Sequence, residues 1–432
     1  MFAAAAFGVA AGAADPLGYQ RLRAEVGESL ADGRGVAVAQ VEPPSLVFDQ
    51  EQREGVRSHV PQHPAAFENV VFHNVAAATP RGSRHATAVA RRFYGRKLSM
   101  SPGVRDVHLY TANGFLRKLA SASSWPSARV WNHSWVGSSG ATDARLLRAF
   151  DKAALDDDWV VAVGVANGGP NKRLLASAFN ILSVGRSDGG HSFGAAATES
   201  LYTAQRPRPH LVAPADKTSI ASPKVASAAV LLLAALPADS ARASVVRAAL
   251  MAGAARRFER GEAAAVEAQA AYRAERRVQT DNGLDTRFGA GQLNVYNSHE
   301  IVTGQRVASI EVQPDASPIT ASGFDYAAAF GGYGEARRSA RYRIEPRGDQ
   351  TLTAALIWTA PGGRATTIAD LDLRLTDITD EPRQLVESVG RHDTGEHVRA
   401  QLTQGRVYEL LVRVRESSTR STSYALAWRL GD

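Results

Sequence analysis

The chain has 432 residues, 44% hydrophobic and 22% charged, a balance that supports a buried core and excludes disorder as the default state. Its formal net charge is +7, yet acids are interspersed with the arginines and no dense basic tract carries aromatics, so the surplus reads as solvated surface and no nucleic-acid partner is expected. The lack of cysteine excludes a disulfide framework, a thiolate metal site and a cysteine nucleophile.

Residues 1–34 open on MFAAAAFGVAAGAADP, which has the apolar core and small-residue cleavage pattern of a signal peptide but no basic n-region. Cutting is expected after Ala13 or Ala14, which favours a secreted or periplasmic protein over a cytoplasmic one. No stretch reaches the roughly eighteen uninterrupted apolar residues of a membrane span, so stable membrane insertion is not expected.

From Gly35 to about residue 185, strand-like apolar runs (GVAVAQVE, DVHLYTA, ARVWNHSW, WVVAVGVAN, ILSVG) alternate with helical patterns (HATAVARRFYG, ANGFLRKLAS, ATDARLLRAFDKAAL). That alternation predicts βαβ units on a parallel sheet, with reactive residues at the carboxyl ends of strands. Next comes KTSIASPKVASAAVLLL (217–233), a long apolar helix with Ser219 at its mouth. Unpaired backbone N–H groups and the helix dipole there favour negative charge near a serine oxygen, although a Thr-Ser pair in that place is also a common helix cap. Residues 238–255 are expected to form an amphipathic helix, and the charged, Ala-rich 258–277 a solvated helical insertion. Beyond residue 303 the runs TLTAALIWTAP, DLDLRLTDI, VRAQLTQG, YELLVRVR and SYALAWRL are short, alternating and separated by turn residues, which predicts a small antiparallel β-sandwich over 303–432. Asp370 and Asp372 share a strand face without the oxygen-rich loop that calcium needs, so they read as surface carboxylates.

Four segments in this order resemble the subtilisin-like serine proteases. Thr218, Ser219, Ala221, Ser222, Pro223, Val225 and Ala226 match the family's G-T-S-M-A-S-P-H-V-A block, and His85-Ala86-Thr87-Ala88-Val89-Ala90 resembles its H-G-T-H-V-A block. VVAVGVANGG (160–169) resembles the strand that ends in A-A-G-N-x-G, and VWNHSWVG (130–137) resembles the strand lining the primary specificity pocket. The segment 287–302 resembles the close of the family's catalytic domain. The resemblance implies an α/β catalytic domain over 35–302, a subtilisin-like parallel sheet flanked by helices, with the sandwich as an appendage. It implies Ser219 as nucleophile, His85 as base, Asn167 as oxyanion donor and Ser134, Trp135 and Val136 as substrate-binding wall. The substrate would be a polypeptide, with no metal and no cofactor. No oligomeric state is specified.

The third triad member is open to two alignments. Val36, Val38, Gln40 and Glu42 share one face of the first strand by period-two alternation, so a slip of two residues exchanges Gln40 for Glu42 without turning either away. Glu42 is the expected acid, because only a carboxylate stabilises the imidazolium formed when histidine accepts the serine proton. Three departures from the family pattern stand beside these matches. Lys217 replaces the glycine before Thr-Ser, Val136 replaces a pocket-wall glycine, and Ala213-Pro214-Ala215-Asp216 runs straight into Lys217 where a loop is usual. Val136 is expected to narrow the cleft toward small side chains. A fold kept as an inactive binding or scaffold module, and an esterase using the same triad, are the competing readings. Only about thirty residues precede the first core strand, fewer than a typical domain, so maturation without a large inhibitory chaperone domain is expected.

Overall fold

The structure, a computed structural model, describes residues 15, 17–49, 54–62, 67–74, 82–121, 124–256, 279–307, 317–332, 337–415 and 420–431. The signal-like segment at 1–14 and the helical insertion expected at 258–277 lie outside the described residues.

The apolar runs of the first half become parallel strands. In chain order the strands are β1 (Val38–Glu42), a hairpin of β2 (Ser45–Asp49) and β3 (Glu54–Ser58), then β4 (Val71–Asn74), β5 (Asp106–Thr111), β6 (Val130–His133), β7 (Val160–Gly164), β8 (Leu182–Arg186) and β9 (Leu211–Ala213). Seven of them form one sheet in the order β4-β5-β1-β6-β7-β8-β9, every neighbouring pair parallel. Residues of β1, β6 and β7 are buried throughout, as expected of strands covered on both faces. The chain passes from one side of β1 to the other between β5 and β6, so the carboxyl end of β1 faces the crevice where open α/β sheets place their sites.

Helices α1 (Tyr19–Val26), α2 (Arg84–Phe93), α3 (Ala112–Ala120), α4 (Asp143–Asp156), α5 (Thr218–Ala235), α6 (Ala243–Ala252) and α7 (Val295–Val302) flank this sheet. Among the described residues α5 is long and apolar enough to cross a membrane by length and composition, but 78% of it is buried in this protein's own core. It packs against β6, β7, β8 and α2.

The second region holds β10 (Gln305–Arg306), β11 (Ser322–Phe330), β12 (Ser339–Ile344), β13 (Gln350–Trp358), β14 (Leu371–Asp377), β15 (Arg383–Ser388), β16 (Gly395–Leu402), β17 (Tyr408–Val414) and β18 (Thr422–Gly431). They form a five-stranded sheet, β10-β11-β18-β13-β16, and a four-stranded sheet, β12-β17-β14-β15. Apart from the β10–β11 pair the neighbours are antiparallel. The architecture is therefore a helix-flanked parallel sheet followed by a β-sandwich, the α/β class expected from the sequence.

Two local expectations are corrected. The helix expected to be amphipathic over 238–255 is α6, and all ten of its residues are buried, because one side meets the parallel-sheet core and another meets β13 and β18. Its Arg247 is buried too, donating through Nη2 to the Phe179 carbonyl at 2.9 Å. Along β13, Ala354 and Leu356 enter the sandwich core while Ala355 and Ile357 join the core of the parallel-sheet region, so one apolar run serves both. The second correction concerns Asp370 and Asp372. Asp372 is buried, not superficial, and accepts from Arg413 Nε at 2.9 Å and Arg415 Nη2 at 2.7 Å, while Asp370 pairs with Arg415 Nε at 2.9 Å.

Candidate active site

Alternation on β1 sends Gln40 and Glu42 to the face covered by α2. That helix starts sharply: the Ser83 hydroxyl accepts from the Ala86 amide at 3.2 Å, and Thr87 Oγ1 donates back to the Ser83 carbonyl at 2.7 Å. His85 thus lies in the first turn, with its Nδ1 2.7 Å from Glu42 Oε2. Glu42 is 1% exposed and His85 is partly open to solvent. The carboxylate can only accept, so a neutral His85 carries its proton on Nδ1 and presents an Nε2 lone pair.

Gln40 supports this pair. Its amide nitrogen donates to Glu42 Oε1 at 3.1 Å and to the Ala86 carbonyl at 2.9 Å, while its oxygen accepts from Tyr94 Oη at 2.6 Å. Both residues that competed for the acid position are therefore in one hydrogen-bonded unit, with Glu42 in contact with the imidazole and Gln40 behind it. Burial raises the Glu42 pKa, against the lowering effects of His85 and Gln40. The hydrogen bond from Glu42 raises the His85 pKa; partial burial and the Lys217 charge oppose it.

Ser219 is the second residue of α5, not its cap. Lys217 holds the cap position without a side-chain hydrogen bond, and the Thr218 amide and hydroxyl donate to Asn167 Oδ1 at 2.8 and 3.2 Å. Two donors facing one atom identify it as the amide oxygen, which turns the exposed Asn167 NH₂ outward. The first turn docks closely on β7: a Cβ at Gly164 would stand 3.2 Å from the Thr218 carbonyl oxygen.

Pro223 then leaves a mark on Ser219. Having no N–H, it cannot bond the carbonyl four residues back, which is that of Ser219. Ser134 Oγ fills the vacancy, donating at 2.9 Å. Ser134 Oγ in turn accepts from Asn132 Nδ2 at 2.9 Å, and Asn132 Oδ1 accepts from Ser222 Oγ at 2.8 Å. This buried ladder ties the end of β6 to the start of α5. Among the described residues no hydrogen bond engages the Ser219 hydroxyl, and its link to His85 is not formed.

Trp135 is largely buried and donates through Nε1 to His133 Nδ1 at 3.2 Å, while Val136 is 38% exposed. His133 is fully buried, and that burial pushes its pKa down to about 3. Gly137 exchanges backbone hydrogen bonds with Leu174 at 2.9 and 3.0 Å. Sequence reasoning missed the support given by Gln40 and Tyr94 and the carbonyl lock of Ser134. Pro223, four residues after the serine, was the available signal for the latter.

No family model matches the chain, and no curated protein matches it. Among solved structures, the chain is similar to the serine protease MycP1, described as an essential component of the type VII (ESX-1) secretion system, at 17% identity over 66% of this chain and 89% of that one, with a TM-score of 0.39. The chain is also similar to PliG of Aeromonas hydrophila, a periplasmic inhibitor of g-type lysozyme, at 13% identity over 29% of this chain and 98% of that one, TM-score 0.19. A further likeness is to the pre-peptidase C-terminal domain of a Bacillus anthracis collagenase, at 9% identity over 29% and 94%, TM-score 0.20.

Proposed function

We propose that the protein is a serine endopeptidase of subtilisin type, with residues 35–302 as the catalytic unit, 303–432 as its appended sandwich and export as its fate. The observation that carries the reading is the hydrogen bond between His85 and the buried Glu42, near enough to the start of α5 for the Lys217 charge to act on His85. Ser219 Oγ attacks the peptide carbonyl and His85 Nε2 takes its proton. Glu42 stabilises the imidazolium, and the outward amide of Asn167 with the Ser219 N–H receives the oxyanion. His85 then protonates the leaving amine, and water resolves the acyl-enzyme by the same route in reverse. The Ser134 lock on the Ser219 carbonyl holds the nucleophile's backbone while this happens.

A non-catalytic binding module is the second reading, favoured by the unformed Ser219–His85 link and by Lys217 and Val136. Labelling by a fluorophosphonate probe, lost in Ser219→Ala, is expected of the enzyme. A chain that takes up no label at any pH between 6 and 9 is the module. Digestion of a denatured proteome, with mass-spectrometric reading of the cuts, then separates protease from esterase. Cuts after small side chains are expected because Val136 narrows the wall; equal cutting after Ala and Phe overturns that role for Val136.

A further inference from the structure

At the opposite edge of the sheet from β9, parallel pairing of β4 with β5 sets His73 beside His108. Asp106 stands two residues before His108, and strand alternation puts both on one face. A ligand atom from each of the three side chains lies within 4.8 Å of the others. His73 Nε2 is 2.6 Å from Asp106 Oδ1, and His108 Nε2 is 3.9 Å from the same oxygen. The two rings are stacked, centroids 4.6 Å apart and planes inclined by 20°.

A plain histidine–carboxylate ion pair explains part of this. It does not explain two features. Asp106 Oδ1 is buried and accepts no hydrogen bond, so the 2.6 Å approach of His73 lacks the alignment of one. The second imidazole adds nothing to an ion pair, and two stacked imidazolium rings would repel each other. A cation shared by the three groups accounts for both features, since it uses the two imidazole lone pairs and the buried carboxylate oxygen together.

We propose that His73, Asp106 and His108 form a binding site for a divalent transition-metal ion of the zinc class. Ligand bonds of about 2.0–2.2 Å around a tetrahedral ion put ligand atoms about 3.3–3.6 Å apart, and the present 2.6 and 3.9 Å bracket that spacing. Small side-chain rotations close the difference. Imidazole with carboxylate suits zinc better than magnesium or calcium, which prefer all-oxygen shells. His73 and Asp106 are about half exposed, so water has access to complete the coordination. Such an ion ties the edge strand β4 to β5 and stabilises the folded chain by binding it in preference to the unfolded one. This site is separate from the Glu42–His85 pair and does not rest on the proposed peptidase reading.

The test is titration of the EDTA-treated full chain with ZnCl₂ in a calorimeter, cobalt(II) absorption spectroscopy and thermal unfolding with and without zinc. One equivalent of zinc is expected to bind, cobalt should show the visible bands of tetrahedral coordination, and Tm should rise with zinc but not with MgCl₂. All three responses should be lost in His108→Ala and Asp106→Asn, with the metal-free Tm close to that of the parent. His73→Ala, at a half-exposed position, gives the same readout if either of those variants does not fold. No saturable zinc binding, binding unchanged in the variants, or an equal response to magnesium overturns the proposal.

Discussion

Glu42 and Asp393 are both buried carboxylates beside a histidine, one at the crevice of the parallel sheet and the other at its seam with the sandwich. At the crevice, Glu42 meets His85 at 2.7 Å, and the partner behind it is a neutral amide. At the seam, Asp393 Oδ2 accepts from Arg208 Nη1 at 2.5 Å and stands 3.7 Å from His210 Nε2. Burial by itself would raise the Asp393 pKa, but Arg208, His210 and Arg206 outweigh it and hold the carboxylate ionised. The permanent cation answers Asp393, so His210 need not become charged: burial and Arg208 push its pKa down to about 4. The Ser183 amide donates to its Nδ1 at 3.0 Å, leaving no nitrogen for a substrate. A carboxylate beside a histidine is thus not a site by itself. The pair at the crevice differs in lacking an arginine and in leaving its histidine partly open to solvent.

Neutralising each carboxylate in turn should separate the two environments. Under the peptidase reading Glu42→Gln should lower kcat by up to about 10⁴-fold with little change in KM or Tm, the magnitude seen when a triad carboxylate becomes an amide. Near-full activity in that variant would show that the acid has been misplaced. Asp393→Asn should act on stability instead. It leaves Arg208 buried and unpaired, at a cost of about 3–5 kcal/mol measured by urea unfolding. Normal stability there, or lost kcat in the still-folded protein, would erase the distinction between seam and crevice.

The buried histidines contrast with His85 in the same way. His133, His191, His210 and His397 have folded pKa values near 3, 4, 4 and 3, against an ordinary 6.5. Between those values and about 6.5 the unfolded chain binds protons that the folded one refuses, so stability rises with pH across that window and falls on acidification. The raised pKa values of His85 and of the buried carboxyls Glu42, Asp151 and Glu396 work in the opposite sense. The histidine contribution is read by difference: the urea midpoint of the parent should fall more from pH 7 to pH 5 than that of His397→Phe, and an equal fall would contradict the burial of that ring. The smallest effect belongs to Lys217, whose charge lowers the His85 pKa. Lys217→Gly should move the acidic limb of kcat/KM to higher pH. An unmoved limb would mean that solvent screens the cation from the imidazole.

Much of the fold was legible because burial on both faces writes itself as unbroken apolar runs, as in VVAVG and in LTAALIW. The expectation failed at α6, read as amphipathic, where Arg247 is buried because a backbone carbonyl receives it. Strand alternation placed Gln40 and Glu42 on one face but left open which of them meets the imidazole, a question of reach that only the packing of α2 answers. His73 and His108 carried no signal, being 35 positions apart and neighbours only through the register of two parallel strands. The same holds for Arg208 and Asp393, which come together across the seam between the two regions.

Helix α6 sets a limit on how this chain can be edited. Covered by the parallel-sheet core and by β13 and β18, it has no side that was ever prepared for water. A cut near residue 303 would bare that surface and leave Arg208 without its counter-charge, so the shortened chain would be a sticky fragment and not a leaner catalyst. The sandwich is consequently a poor candidate for exchange by recombination: any substitute would have to bring an apolar strand in the place of β13 and an acid in the place of Asp393. What looks in the sequence like a detachable tail is, to a breeder of new proteins, a part that cannot be swapped.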